Sequence, residues 1–250
     1  TLAMLLRFED SLEVARRAVK GQPESDEAWC VLGLAEQGLR NWRTAEEHHR
    51  KALQLNERNG MAMLNLAIVL KMQGKVEEAL PLAEESCKFP ALGARPHFEV
   101  GGCYLAMGRT TDALAHFLKS TEIDTAYGDA WINAAVSANK LGRPKEARDY
   151  AVQATRCRPD HVLSWVQLCQ SEITLKDFDA ANKAVDKAKV LFTEDPAARC
   201  DVAAMLYSLG RYEEALVIAK EVADANLGYA RPLEVIASCY INLKKYDDAL

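Results

Sequence analysis

The sequence lacks the features that would place it in several common functional classes. No apolar run approaches the ~18–20 residues that a membrane-spanning helix needs, so direct membrane insertion is not expected. None of the patterns GxxxxGKS/T, GxGxxG, HExxH and GxSxG occurs, which removes the usual signals of nucleotide binding, zinc-dependent hydrolysis and serine nucleophiles. Asn-x-Ser/Thr sequons are absent too, so nothing in the sequence indicates a glycosylated, secreted protein.

The charged residues give no excess of positive charge. Lys and Arg number 31 against 36 Asp and Glu, the formal net charge is −5, and the basic residues are dispersed. A nucleic-acid surface would need a basic patch or stripe, so no nucleic-acid partner is expected. Hydrophobic residues make up 49% of the chain and charged residues 27%, a composition typical of a soluble protein with a well-buried core.

Cysteine is present, but in no pattern that forms a site. The seven cysteines are an odd number and no two are spaced as CxxC, so neither a disulfide framework nor a zinc site is expected. Free cysteine behaves as a small buried apolar residue in a reducing compartment, so the sequence predicts a cytoplasmic protein without metal or cofactor. The cysteines are Cys30, Cys87, Cys103, Cys157, Cys169, Cys200 and Cys239.

The sequence does contain one period, repeated from end to end. Alanines recur every 34 residues, and so do glycines at a second position, where Lys176 and Lys244 replace glycine in two repeats. A fixed period of this length is the sequence signature of a repeat protein. The alanines are Ala45, Ala79, Ala113, Ala147, Ala181, Ala215 and Ala249, and the glycines are Gly74, Gly108, Gly142 and Gly210.

Each 34-residue unit has the pattern of two helices. In the fourth unit, apolar or small residues from Trp131 to Ala138 follow the i, i+3, i+4, i+7 spacing of an amphipathic helix. Gly142 is predicted to end that helix in the left-handed conformation, and Pro144 stands in the first turn of a second helix. With Asp26 as position 1, residues 1–250 are predicted to form a single array. Its full repeats are 26–59, 60–93, 94–127, 128–161, 162–195 and 196–229, and its partial repeats are 1–25 and 230–250.

Two stretches carry a family signature. The first is W-x2-L-G at Trp29, Leu32 and Gly33, and the second is G-G-x2-Y from Gly101 to Tyr104. Each is followed by further matching residues, and the whole resembles the tetratricopeptide repeat (TPR) signature. The resemblance implies an all-α fold, a right-handed superhelical solenoid of 34-residue helix-turn-helix repeats. The further matching residues are Ala45 and Ala52 in the first case and Ala113 and Phe117 in the second.

The chain departs from this pattern at a few positions. Arg199 stands where the pattern has Trp or Leu, and Glu36 and Glu172 stand where Tyr104 matches it. These departures concern local packing rather than the fold. Because the period starts and stops inside a repeat, we expect the chain to be the core of a longer array, with ends that can pair in self-association.

The histidines form no predicted catalytic or metal site. His48 and His49 are adjacent on a helix, where neighbouring side chains point about 100° apart and cannot share a metal ion. His49 occupies a packing position, which predicts a hydrogen-bonded histidine between helices, and His97 stands at a tryptophan position. His116 and His161 are predicted to lie at the surface or in loops. No catalytic residue is predicted, so the chain is not expected to be an enzyme.

The concave surface is the remaining candidate for function, and in the TPR family the first helix of each pair lines most of it. Positions 2, 5, 6, 9 and 12 of that helix are predicted to face the groove, and many of them are apolar. A large exposed apolar patch usually marks an interaction site. The predicted groove residues are Leu34, Leu64, Asn65, Ile68, Arg95, Phe98, Ile132, Asn133, Val136, Val166, Gln167 and Gln170.

Two precedents in the family bear on the ligand. A chaperone-tail receptor would show Lys-x3-Asn, Asn and Lys-x3-Arg over three repeats, whereas Asn65 and Arg95 are isolated here. An asparagine ladder, as in the superhelical arm of O-linked N-acetylglucosamine transferase, is matched by Asn65 and Asn133, whose amides can bond the backbone of an extended peptide. Equally, the two asparagines can solvate their own helices.

The sequence thus predicts a protein-interaction scaffold that binds a peptide or helix of a partner, through an apolar or amphipathic segment, in a concave groove. Two alternatives stay open. One is the substrate-recruiting arm of a larger, glycosyltransferase-like enzyme, and the other is a structural subunit that self-assembles through its ends. If the assumed helix positions are off by one residue, some of the predicted groove residues belong to the core between repeats.

Overall fold

The chain folds into helices throughout the part that the structure covers. This computed structural model describes residues 2–191, 195–225 and 230–244, with side chains from residue 9 onwards. In these residues there are fourteen α-helices and no strand, and the chain divides into two compact units, Thr1–Thr125 and Ala126–Leu250. The predicted all-α class, built of helix-turn-helix repeats, is confirmed. The single array and the repeat boundaries stay predictions.

The first unit consists of a leading helix and three helix pairs. Within each pair the two helices pack against each other, and successive pairs pack side by side. The leading helix is α1 (Leu2–Gly21). The pairs are α2 (Asp26–Gly38) with α3 (Trp42–Leu55), α4 (Gly60–Met72) with α5 (Val76–Ser86), and α6 (Arg95–Ala106) with α7 (Thr110–Ile123).

The second unit consists of three helix pairs followed by one helix. The pairs are α8 (Gly128–Lys140) with α9 (Pro144–Cys157), α10 (Val162–Leu175) with α11 (Phe178–Val190), and α12 (Pro196–Ser208) with α13 (Tyr212–Ala225). The last helix, α14 (Arg231–Asn242), packs against α13. A second helix is expected after it from the repeat pattern, with Tyr246 and Ala249, and it lies outside the described residues.

The alanines of the 34-residue period lie where the two helices of a pair meet. All six within the described residues have no exposed surface, which is the burial expected where small side chains let two helix axes approach closely. The first helices of the pairs carry larger apolar side chains, such as Leu70 of α4 and Val100 of α6, and these fill the core of the first unit. The six alanines are Ala45, Ala79, Ala113, Ala147, Ala181 and Ala215.

The turn inside each pair places one residue in the left-handed backbone region. Four of these residues are the periodic glycines, with φ between 69° and 79°, as their lack of a Cβ favours. The other repeats use Arg40, Lys176 and Lys244 at the equivalent position, with φ of 60°, 65° and 58°. For these three residues the left-handed conformation costs about 1–2 kcal/mol relative to an ordinary helical conformation.

Lys176→Gly is therefore expected to stabilise the protein by about 0.5–1 kcal/mol, because glycine adopts φ 65° without the Cβ clash. Chemical denaturation followed by circular dichroism measures this. The matched control is Lys183→Gly, an exposed position inside α11, where glycine should destabilise by about 1 kcal/mol. Equal losses for both variants would contradict the assignment of strain to Lys176.

Candidate partner-binding face

An apolar stripe lies on the exposed side of the first two pairs of the first unit. Positions 2, 6, 9 and 13 of a first helix are separated by four, three and four residues, so their side chains share one face of the helix. On α2 and α4, which pack side by side, these positions are apolar except for Glu27, Gly38 and Asn65. We call this surface the apolar face, and its residues are Val31, Leu34, Met61, Ile68 and Met72.

The apolar face is accessible to a partner. Val31 is 49% exposed, Met61 43% and Met72 55%, and Leu34 is also exposed, while Ile68 is half-buried. These are high values for large apolar side chains, and a contiguous group of them on a water-exposed surface marks an interaction site. The two methionines are flexible and polarisable, which suits a surface that adapts to the side chains it meets.

Charged residues flank the apolar face. Arg95 is exposed at position 2 of α6, and Glu27 is exposed at position 2 of α2. Lys71 forms an ion pair with Glu99 between α4 and α6, with Nζ and Oε2 2.5 Å apart, and Glu99 is buried. This largely buried pair lies on the α6 side of the face, where it gives the apolar stripe a polar border.

Three predicted groove residues are packing residues instead. Leu64 is 1% exposed, Ile132 5% and Val166 3%, and all three stand at position 5 of their helices. Position 5 lies off the 2–6–9–13 stripe and turns toward the packed side of the helix, where Val166 joins the core of the second unit. Their predicted place in an exposed groove is wrong. Phe98, also at position 5, is half-buried with its ring 5.7 Å from that of Phe117.

The first of the two asparagines that match an asparagine ladder has its side chain inside the protein. Asn65 has no exposed surface, and its Nδ2 lies 3.8 Å from Sγ of Cys30 as the donor of a weak hydrogen bond. Its Oδ1 is buried without a hydrogen-bond partner. A side chain in this position cannot reach the backbone of a bound peptide, so the first ladder contact is excluded.

The amides of the second unit also have partners within it. Nδ2 of Asn133 donates to the backbone oxygen of Asp129 at 2.9 Å, one turn earlier in α8, as the alternative of a helix-solvating asparagine predicted. Nδ2 of Asn139 donates to Oε1 of Gln167 at 3.2 Å, joining α8 and α10. With half-buried Val136 and Gln170, they make this face of the second unit mixed rather than apolar, in contrast to the apolar face of the first.

A cluster of titratable side chains lies between α5, α6 and α7. Nδ1 of His97 is 3.3 Å from Nδ1 of His116 and 3.6 Å from Sγ of Cys87. Burial lowers the pKa of both histidines and raises the pKa of the Cys87 thiol to about 11, so the thiol is protonated at neutral pH and is a poor nucleophile. His116, predicted to lie at the surface or in a loop, is a half-buried residue of helix α7 whose ring packs on that of His97 in α6.

The cluster takes the place of an aromatic pair. The equivalent positions hold Trp29 and His48, with ring centroids 5.5 Å apart, and Trp131 and Tyr150 at 6.0 Å. His97 and His116, at 5.4 Å, continue this packing role. Within residues 2–191, 195–225 and 230–244, no group of three His, Cys, Asp or Glu side chains is arranged to hold a metal ion.

None of the helices in the described part of the chain combines the length and the apolar character needed to cross a bilayer. The seven cysteines are free, and five of them are buried, as the sequence predicted for small apolar side chains. The apolar face therefore remains the candidate site, formed by side chains of two packed helices.

Comparison with protein families gives matches over more than half of the chain. A family model described as tetratricopeptide repeat matches residues 30–96 and 104–162, and a second model with the same description matches residues 197–225. These ranges include all residues of the apolar face, and they cover parts of both units.

Individual relatives are distant. The anaphase-promoting complex subunit cut9 of Schizosaccharomyces pombe is 24% identical over 158 residues, which are 60% of this chain and 24% of that protein. DnaJ homolog subfamily C member 7 of Homo sapiens is 22% identical over 213 residues, which are 85% of this chain and 39% of that protein. The chain therefore spans less than half the length of either relative.

A solved structure matches the helices more extensively than these relatives match the sequence. The crystal structure of the APC/C hetero-tetramer Cut9–Hcn1 has a TM-score of 0.79 with this chain, at 15% identity. The match covers 93% of this chain and 46% of that chain. At this level of identity the similarity concerns the fold.

Proposed function

We propose, because the chain belongs to the tetratricopeptide repeat family, that it is a non-catalytic protein-interaction scaffold whose first unit binds an apolar or amphipathic segment of a partner protein. The observation that carries the proposal is the apolar face, with its half-exposed methionines and valine on neighbouring helices. Proteins of this architecture expose continuous surfaces along stacked repeats and use them for binding.

Burial of the apolar face by a partner would contribute several kcal/mol to the free energy of binding. Fully burying a Val, Leu or Met side chain is worth about 1.5–3 kcal/mol, and these residues are about half exposed, so each can contribute on the order of 1 kcal/mol. Five such residues give a gross gain of about 5 kcal/mol, which is comparable to the cost of association. Contacts of the partner with the charged flank, at Arg95 and Glu27, would add orientation and specificity.

The geometry accommodates two kinds of ligand segment. A helix would present apolar residues at i, i+3, i+4 and i+7, whereas an extended segment would present alternate residues. Both lay an apolar edge along the stripe formed by α2 and α4. The internal bonding of Asn65 argues against a ligand held mainly through its backbone by an asparagine ladder.

Replacing Val31, Met61 and Met72 together by aspartate is expected to weaken partner binding at least a hundredfold. Each substitution removes about 1 kcal/mol of apolar burial and forces a carboxylate to lose water against an apolar ligand. The fold should be retained, because all three side chains are about half exposed. A peptide display library selected on the wild-type protein, and counter-selected on the triple variant, yields the segments that need this face, and calorimetry then measures their dissociation constants.

The matched control is a double variant, Val14→Asp with Phe178→Asp, because these apolar side chains are 64% and 52% exposed elsewhere on the surface. It should bind the selected peptides as the wild type does. Equal affinity of wild type and triple variant would overturn the proposal. The spacing of apolar residues in the selected peptides separates a helical from an extended ligand.

The two alternatives have their own tests. A substrate-recruiting arm requires a catalytic domain in the same full-length polypeptide, and because this chain spans less than half of its relatives, the full-length product decides that question. Self-assembly predicts a sedimentation coefficient that rises with concentration.

The cytoplasmic location and the absence of nucleic-acid partners stay predictions of the sequence.

A further inference from the structure

The second unit contains a cleft of about 610 Å³ between the end of α11, the start of α12 and α13. Its volume lies within the range of about 300–1,000 Å³ that is usual for ligand sites. Two ion pairs border it, Arg199 with Glu221 and Lys189 with Glu214, so its rim carries no net charge. The apolar side chains that line it include Val190, Leu191, Val202, Val217 and Ile218.

The cleft lies where other repeats hold an aromatic pair. Arg199 stands at position 4, which is Trp in the first, fourth and fifth repeats, and Ile218 stands at position 23, which is His48 or Tyr150 in two of these. The rings at positions 4 and 23 are 5.5–6.0 Å apart in those two repeats. The sixth repeat therefore lacks both rings of the pair.

Two other repeats show how an indole is held at position 4. Nε1 of Trp29 donates a hydrogen bond of 2.8 Å to the backbone oxygen of Pro23, and Nε1 of Trp165 does the same to Pro159. Each indole thus lies between the end of the preceding repeat and the helices of its own repeat. In the sixth repeat the residues that flank this place, Leu191 before it and Ile218 beside it, line the cleft.

We propose that this cleft binds the indole ring of a tryptophan side chain on a partner protein. The apolar walls match the ring, and the cations of Arg199 and Lys189, each about one-third exposed at the rim, match the negative face of its π system. Because both cations are already paired with carboxylates, the cleft favours a neutral ring over an acidic ligand. A partner's ring would occupy the place that the chain's own tryptophan fills in other repeats.

The inference concerns the second unit and does not depend on the apolar face of the first. It rests on the proposed function in one respect only, the assignment of the ring to a protein partner rather than to a free aromatic compound. The two sources share the same planar chemistry, so the experiment below separates them with two probes.

The test uses the full chain with 5-fluoroindole and with N-acetyl-5-fluorotryptophanamide, observed by ¹⁹F NMR line broadening. Both probes should bind with a dissociation constant on the order of 1 mM, the range expected for fragments of this size. Arg199→Trp should weaken both at least tenfold, because the new indole fills the cleft from within. The matched control is Arg43→Trp at a side chain that is 94% exposed, and it should bind as the wild type does.

A second variant that fills the cleft shows whether loss of binding comes from the filled cleft or from a folding defect. Ile218→Tyr restores the residue type of Tyr150 at position 23, and it should also abolish binding while thermal unfolding stays cooperative. Absence of binding to the wild type, or binding retained in both filling variants, would overturn the inference. Binding of 5-fluoroindole alone would overturn the assignment to a peptide side chain. The triple aspartate variant of the apolar face should bind both probes normally, so failure of one proposal is distinguishable from failure of the other.

Discussion

Phe117→Ala should lower the free energy of unfolding by about 3–5 kcal/mol, because it empties the place of a large, fully buried side chain. The aromatic ring is 1% exposed and packs against the backbone of Gly101 in the facing helix. A Cβ atom added to Gly101 would lie 2.7 Å from Cε1 of Phe117. Only glycine at residue 101 therefore leaves enough space for the ring of Phe117.

The same pairing of a small residue in the first helix with a large ring in the second helix occurs in another repeat. Gly33 faces His49, and a Cβ on Gly33 would lie 2.5 Å from Cε1 of that ring. In other repeats the residue equivalent to Gly101 is alanine or cysteine, and the one equivalent to Phe117 is then small or branched. These pairs are Ala67 with Ala83, Ala135 with Ala151, Cys169 with Val185, and Ala203 with Ala219.

The double variant Gly101→Ala with Phe117→Ala should therefore recover part of the loss. Gly101→Ala alone should cost about 1–3 kcal/mol through overpacking, since the buried ring has no room to move. In the double variant the two alanines reproduce a pair found in other repeats, and a coupling energy of about 1–3 kcal/mol is expected. Urea unfolding of the wild type, the two single variants and the double variant completes the double-mutant cycle. Strictly additive losses in the free energy of unfolding would contradict the size complementarity.

Acidification should destabilise the protein through His49. The imidazole has no exposed surface, and burial, followed by the neighbouring His48, lowers the pKa of His49 to about 4. In the unfolded chain the pKa is about 6.5. Between these values the unfolded state binds the proton and the folded state does not, so the contribution of His49 to stability falls as the pH drops from about 7 to 4 and levels off below. The loss amounts to about 3 kcal/mol.

His49→Phe isolates this effect. Phenylalanine occupies the equivalent position in Phe117, and it removes two ring nitrogens that are buried without a hydrogen-bond partner. The variant should be more stable than the wild type at pH 7.5, and its advantage should grow by about 3 kcal/mol by pH 4. Urea unfolding at several pH values measures the difference, in which the contributions of the other histidines cancel. A difference that does not change with pH would contradict the assignment.

The features that depend on one helix or one turn were predictable from the sequence. The period placed Ala113 and its equivalents at helix crossings, where they have no exposed surface. It also placed Lys176 at the position of the glycines, and the backbone there is left-handed as theirs is. Such features follow from local geometry, and a 34-residue period repeats that geometry.

Features that depend on neighbouring helices were harder to predict. Leu64 and Met61 are both apolar and three residues apart, yet one is buried and the other exposed, because position 5 faces packed helices and position 2 does not. Asn65 looks like a groove residue by its polarity, but the surrounding helices bury it. His49 was expected to be hydrogen-bonded, and that expectation is wrong, since both ring nitrogens are unpaired. Met72 was missed, although its place four residues after Ile68 puts it on the same face.

The size complementarity between Gly101 and Phe117 also limits how such a chain can be recombined. The two residues lie in the two helices of one repeat, so duplication or deletion of a whole repeat carries both and keeps them matched. A crossover in the turn between the helices would instead join a glycine to an alanine, leaving a void, or an alanine to a phenylalanine, creating a clash. Chimeras cut between repeats should therefore fold, while those cut within the turn at Gly108 should be unstable unless both partners change together.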